Sequence, residues 1–257
     1  PSEHSAGEHR RYSPADVDRL LVMRRLTLDG VAPGDAARLA QSPDGAGSVA
    51  AAGAPRVATP TTVVDAALVD DRDATERLLA LEPSDDVAQW WTTLVEPALG
   101  DLARRTVVDR PGVDAVRTIE RAVLTALRAR AAAPVAPGAP VVLLLVPIGH
   151  ARPLLTHALA AALVVGQVDA RIVGGPTGPR QAAELVVMTR PRAVVTVARR
   201  EDADLSVVAR LADEHPEVPQ FVMVPESVQA DVPLGRSVHR ARSFHGLLHE
   251  VLAVAAP

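Results

Sequence analysis

From Val141 onward the chain alternates short blocks of branched apolar residues with longer stretches in which apolar positions recur every third or fourth residue. Val141–Val146, bounded by Pro140 and Pro147, is too short for an independent helix and reads as a strand buried on both faces. Leu154, Leu155, Ala158, Leu159, Ala162 and Leu163 then fall at helical spacing, and Ala170–Val173 predicts a second strand closed by Gly174 and Gly175. The alternation continues through a helix at Pro179–Met188, a strand at Ala193–Ala198, a helix at Leu205–Glu214, a strand at Gln220–Val224 and a last helix at Phe244–Val254, with Val238 opening a short edge strand. This order predicts a doubly wound parallel sheet of flavodoxin-like type over residues 134–257. It places the loop Pro147–Pro153 at the carboxyl end of the first strand, where open α/β sheets bind ligands.

Upstream the pattern is helical. Thr62–Leu68, Asp73–Leu81, Asp85–Val107 and Gly112–Ala133, punctuated by Pro83 and Pro111, predict an antiparallel four-helix bundle over residues 61–133. Trp90 and Trp91 fall within its third helix, where a core position is the expectation. Ser42–Pro60 is rich in Gly, Ala, Pro and Ser without periodicity and reads as a flexible linker, and Ala133–Pro140 reads as a second one. In residues 1–41, polar Ser5–Glu8 around Gly7 suit a hairpin tip. Ser13 and Pro14 open a helix that Gly30 ends, and Pro33–Ala40 forms a second short one.

Composition changes the picture in three ways. With no cysteine there are no disulfides and no thiolate metal sites. No apolar run is long enough to span a bilayer and no signal peptide is evident, so a cytoplasmic protein is expected. All 27 basic residues are Arg, yet the net charge is −4, so any contact with nucleic acid must come from a local patch. Aromatics at 2% leave little for stacking on single-stranded bases.

That local patch has a candidate. GEHRRYSPADVDRLLVMRRLTLDGVAPGDAARLA, residues 7–40, resembles the wing, third helix and fourth helix of the MerR-family DNA-binding domain. The resemblance implies that Arg10, Arg11 and Tyr12 touch phosphates of double-stranded DNA, positioning the protein without specifying sequence. The family's preceding helix-turn-helix, which enters the major groove, has no counterpart before Pro1, so a truncated chain is the expectation.

Taken together, a partial MerR-type module, a linker, a four-helix bundle and a flavodoxin-like domain resemble the cobalamin-dependent photoreceptor repressors of carotenoid synthesis. In that family a bundle motif of Trp, Glu and His caps adenosylcobalamin from above, and a His in the loop after the first strand binds cobalt from below. Superposing the motifs puts the Trp position on Thr106, the Glu on Val116 and the upper His on Arg117. It puts the acidic residue of the lower loop on His150 and the cobalt-binding His on Arg152, and a guanidinium cannot ligate a metal. The family's small Ser falls near Thr196, and its Gly-Gly pair falls near Met223–Pro225.

The resemblance therefore implies a regulator whose sensor half keeps the cobalamin-receptor fold without cobalamin ligation, independent of cobalamin and of light. Two alternatives stay open. The bundle-sheet cleft could bind another bulky or tetrapyrrole ligand, with Arg117 and Arg152 facing its carboxylates, or cobalamin through His150; or the chain could act as the interaction partner of an intact paralogue. A homodimer or higher homo-oligomer is expected, because MerR-type modules act in pairs on pseudo-palindromic sites. His245 and His249 stand four apart on the last helix without a third ligand, so no metal is expected there. No nucleophile elbow, Walker loop or HExxH helix occurs, so no enzyme is expected.

Overall fold

Thr59 begins the helical region with a capping box: its hydroxyl accepts from the Thr62 amide, and the Thr62 hydroxyl accepts from the Thr59 amide. The computed structural model describes Met23, Gly34, Ala37 and residues 58–105, 114–149, 152–175 and 177–256. The chain forms two units, Pro1–Arg56 and Val57–Pro257, and in the first the three described residues have helical backbone.

The helical region of the second unit contains α1 (Pro60–Leu68), α2 (Arg72–Leu78), α3 (Val87–Trp90), α4 (Glu96–Arg104) and α5 (Ala115–Ala131). Asp71, Asp86 and Asp114 cap α2, α3 and α5 by accepting backbone amides, as short acidic side chains at these positions should. The single helix expected over Asp85–Val107 is interrupted by one wide turn, Trp91–Val95, in which the Glu96 amide reaches back to the Trp91 carbonyl. Pro97 gives the reason, since proline has no N–H to donate and its ring crowds the preceding turn. With that turn counted as part of it, α3 and α4 make one helix, and the expected set of four is present. The stretch expected to run to Leu81 ends at Leu78.

The strands β1 (Val141–Leu145), β2 (Asp169–Ile172), β3 (Ala193–Val197), β4 (Gln220–Met223) and β5 (Val238–Arg240) form one parallel sheet in the order β2-β1-β3-β4-β5. Helices α6 (Leu154–Val165), α7 (Pro179–Thr189), α8 (Ser206–Glu214) and α9 (Phe244–Ala255) connect and close it. This is the doubly wound order, reversing between β1 and β3. The two-residue period of the strands sorts their side chains into two cores. Val142, Leu144, Ala193, Val195, Val197 and Phe221 join the helical region, α6 and α9 on one face. Leu143, Leu145, Val194 and Val222 join α7 and α8 on the other.

Helix α6 lies between the sheet and α5, which explains why Leu155–Val164 are all buried except His157. Each fully buried Leu there contributes about 1.5–3 kcal/mol of apolar transfer, so α6 fastens helical region and sheet into one unit. At its end Gly166 lies close to α9: a Cβ there would stand 2.6 Å from Cδ2 of Leu252, so that side chain would have to swing aside.

Candidate functional site

The topology directs attention to the carboxyl ends of β1 and β3. After β1, Val146 and Pro147 stay buried, and Val146 accepts at its carbonyl from the amide of buried Thr177 at 3.1 Å. Ile148 is exposed, and Gly149 turns the loop with φ 82°, a left-handed backbone that a side chain would strain. His150 lies outside the described residues. Arg152 is exposed, and its guanidinium donates to the Val173 carbonyl at 3.1 Å, tying the loop after β1 to the end of β2.

Helix α6 starts at Leu154 behind Pro153, with no side-chain cap. In its first turn Thr156 is fully buried, and its Oγ1 has no hydrogen-bond partner. The next residue, His157, is half-buried. Burial holds its pKa below the ordinary 6.5, and the positive charges of Arg152 and then Arg128 push in the same direction. Two guanidinium groups, from the β1 loop and α5, therefore share one neighbourhood with the imidazole of α6.

On the far side of the switch point, β3 ends in buried Thr196 and Val197, and just beyond it the amide of buried Ala198 donates to the Met223 carbonyl. The following loop is stitched down: Arg200 pairs with Asp202 at 2.7 Å, and the Ser227 hydroxyl donates to Glu201 at 2.8 Å. Met223, Val224 and Pro225 all keep their side chains at or near the surface of the core, Val224 being 7% exposed.

The upper positions sit elsewhere in the helical region. Val116 is 46% exposed on the first turn of α5. Arg117 pairs with Asp114 at 3.1 Å and lines a small cavity with Asp70, Arg72, Glu76, Thr118 and Arg121, a set to which Arg152 does not belong. Thr106 and the DNA-contact candidates Arg10, Arg11 and Tyr12 lie outside the described residues.

Sequence reasoning assigned Trp90 and Trp91 to the core, and both are buried there. Trp91 meets Phe244 at the start of α9 with ring centroids 6.2 Å apart, joining the helical region to the last helix. Burial alone, however, hides what they lack: neither indole Nε1 has a hydrogen-bond partner. No local motif announces this or the Thr156 hydroxyl, because both arise from tertiary packing around α6 and the wide turn.

The resemblance expects a protein ligand below the corrin and room for its nucleotide tail. The position expected to supply that ligand carries a guanidinium that donates to the Val173 carbonyl, and Leu144, Leu155 and Leu159 belong to the buried core. Among the described residues no group of three or more His, Asp or Glu could hold a metal ion. A guanidinium at Arg152 does not fit the role of a cobalt ligand, and His150 lies outside the described residues.

No family model matches the sequence, and no curated protein matches it. Among solved structures the chain is similar to the monomethylamine corrinoid protein of Methanosarcina barkeri, with a TM-score of 0.52, 12% identity, and coverage of 75% of this chain and 96% of that one. It is also similar to the methanol:cobalamin methyltransferase complex MtaBC of Methanosarcina barkeri, with a TM-score of 0.41, 14% identity, and coverage of 96% of this chain and 93% of that one. The first likeness shows a shared fold of helices followed by a five-stranded parallel sheet.

Proposed function

We propose that this chain is a DNA-binding transcriptional regulator of MerR type whose sensor half keeps a corrinoid-protein fold but no longer holds a corrin. The observation that carries the second part is Arg152: it stands where the resemblance expects the cobalt ligand, and its guanidinium is spent on the Val173 carbonyl. The first part rests on the GEHRRYSPADVDRL run and its spacing to the later GVAPGDAARLA. Regulation then proceeds without the cobalt-carbon bond, so neither cobalamin nor light changes DNA affinity.

The test has two arms. Adenosylcobalamin added in the dark at micromolar concentration is expected to leave no corrin absorbance with the protein after gel filtration, and stoichiometric retention overturns the loss of ligation. Replacing Arg10 and Arg11 together with Ala is expected to weaken binding to all DNA sequences alike and to lower the salt slope by roughly 2 units. An unchanged slope overturns the phosphate-contact reading.

A second reading has an observation in its favour. The unpartnered indole Nε1 atoms of Trp90 and Trp91 and the Thr156 hydroxyl are buried donors in the helical core and on α6, which packs against it. They suit a sensor that opens this junction for a different ligand carrying acceptor groups. Quenching or a blue shift of the fluorescence of these two tryptophans on addition of a candidate tetrapyrrole separates this reading from the first.

A further inference from the structure

Between the turn from α1 to α2 and the first turns of α5 lies a cavity of about 110 Å³ that the regulatory reading does not use. Its walls are two helical rows, Arg72 and Glu76 on α2 and Arg117, Thr118 and Arg121 on α5, with Asp70 just before α2 and Asp114 capping α5. Part of this wall is fixed. Asp70 holds a left-handed backbone, φ 55°, and takes the Arg72 guanidinium at both carboxylate oxygens, each at 3.2 Å, while the Thr118 hydroxyl donates to Oδ1 at 3.4 Å. Asp114 holds Arg117 at 3.1 Å. Two cations and two anions are thereby committed to each other.

Glu76 and Arg121 are left over. Among the described residues neither side chain forms an ion pair or a hydrogen bond. The order of residues explains both. Arg72, the helical neighbour able to neutralise Glu76, is turned toward Asp70, and the residues three and four away from Arg121, namely Arg117, Thr118, Leu124 and Thr125, include no acid. One cavity therefore carries an uncommitted carboxylate on its α2 wall and an uncommitted guanidinium on its α5 wall, too far apart to pair directly.

That arrangement disfavours a simple ion of either sign. An anion drawn to Arg121 meets the carboxylate of Glu76, and a cation drawn to Glu76 meets Arg121, whereas a ligand carrying both charges close together satisfies the two at once. Size narrows the choice further. At about 110 Å³ the space is smaller than the roughly 150 Å³ that accepts benzene, so it admits about five heavy atoms. A carboxylate, an ammonium and the carbon that joins them fill it, and anything attached to that carbon leaves past Glu76, Arg117 and Arg121, which are exposed.

We propose that this cavity binds the head group of a free α-amino acid, with the carboxylate on Arg121 and the ammonium on Glu76. The guanidinium fork offers the carboxylate two parallel N–H donors, and Glu76 accepts from the ammonium. The ligand then bridges α2 and α5. This effector site is separate from the loops at the carboxyl end of the sheet, and the proposal does not depend on what the protein regulates.

Glycine, which is the head group alone, is the probe. Isothermal titration of the full chain is expected to show saturable binding with a Kd of about 1 mM, a range open to so few heavy atoms. Acetate and methylammonium, each carrying one of the two charges, are expected to bind at least about tenfold more weakly, a comparison that needs no variant. Glu76→Gln and Arg121→Gln are each expected to weaken glycine about tenfold, while Arg77→Gln, on α2 but outside the cavity, leaves it unchanged. Because Glu76 and Arg121 lack partners in their own chain, both variants should keep the natural circular dichroism spectrum. No saturation up to about 50 mM glycine overturns the proposal. So does acetate binding as tightly as glycine, which marks a plain anion site, or a glycine affinity indifferent to Glu76→Gln. Neither corrin nor DNA enters these measurements, so their failure leaves the proposed function standing, and its failure leaves them standing.

Discussion

Trp91 offers the sharpest test of how the helical region is joined to the sheet. It is 2% exposed and packs on Phe244 of α9 across the junction, and its indole N–H is buried without a partner. Two substitutions separate these features. Trp91→Ala removes the ring and leaves a cavity, which for a buried aromatic costs about 3–5 kcal/mol. In a cooperative unit of this size that lowers the melting temperature by roughly 10 °C, at about 2–4 °C per kcal/mol. Trp91→Phe keeps most of the packing and deletes the unpaired donor, whose burial costs about 1–3 kcal/mol, so loss of area and relief of desolvation offset each other to within about 1 kcal/mol.

Urea unfolding followed by far-ultraviolet circular dichroism measures both values, and the midpoint should move strongly for Ala and barely for Phe. A double-mutant cycle with Phe244→Ala should return about 0.5–1.5 kcal/mol of coupling beyond area burial. If Trp91→Phe proves as damaging as Trp91→Ala, the N–H is making a bond and the argument from its isolation is wrong. An additive cycle would show instead that the two rings do not join the helical region to α9.

Three further outcomes follow from named contacts. His157 has a folded-state pKa below 6.5, through burial first and then Arg152 and Arg128, so on acidification the unfolded chain takes the proton first. Stability is complete above 6.5 and falls as pH drops through that value toward the lower folded one; His157→Asn should flatten urea midpoints measured from pH 7 to 5, and an unflattened profile would assign the acid sensitivity to other groups. Arg152→Ala should raise the His157 pKa in a proton NMR titration, and no movement would remove Arg152 from its surroundings. Gln167 holds a left-handed backbone, φ 60°, just past the end of α6, so Gln167→Gly should stabilise by about 1 kcal/mol, whereas Gly166→Ala, whose Cβ meets the movable end of the Leu252 side chain, should change stability by less than about 1 kcal/mol; thermal melts distinguish the two, and equal effects would refute the assignment.

Those two neighbours also show where sequence reading succeeds and where it stops. The sheet was legible because β1, β3 and β4 are buried on both faces and so appear as unbroken apolar runs, while the helices between them keep a three-to-four period. Strand β2 was placed one residue late, because Asp169 at its start and Arg171 within it pair with each other at the sheet edge and interrupt the apolar run. The wide turn in the third helix was signalled only by Pro97, whose consequence depends on how the chain relieves the crowding. A glycine at 166 looks like the left-handed helix stop, yet the left-handed residue is Gln167, and Gly166, at φ −76°, lies against the end of the Leu252 side chain.

The candidate site was legible in a different sense. Local runs fixed which loop leaves the carboxyl end of β1, and that is a property of order along the chain. What the loop does with Arg152 is not, since the carbonyl that receives its guanidinium belongs to Val173, twenty-one residues later on the neighbouring strand's exit. The same holds for Arg128 near His157, and for the indoles of Trp90 and Trp91 left without partners: each is set by how α6 lies between helices and sheet. A residue type that forbids metal ligation can be read directly from a sequence. Where the guanidinium of Arg152 ends depends on tertiary placement, and here it donates to the Val173 carbonyl just beyond β2. Arg152 therefore ties the chain after β1 to Val173 beyond β2, a contact that no local run of sequence announces.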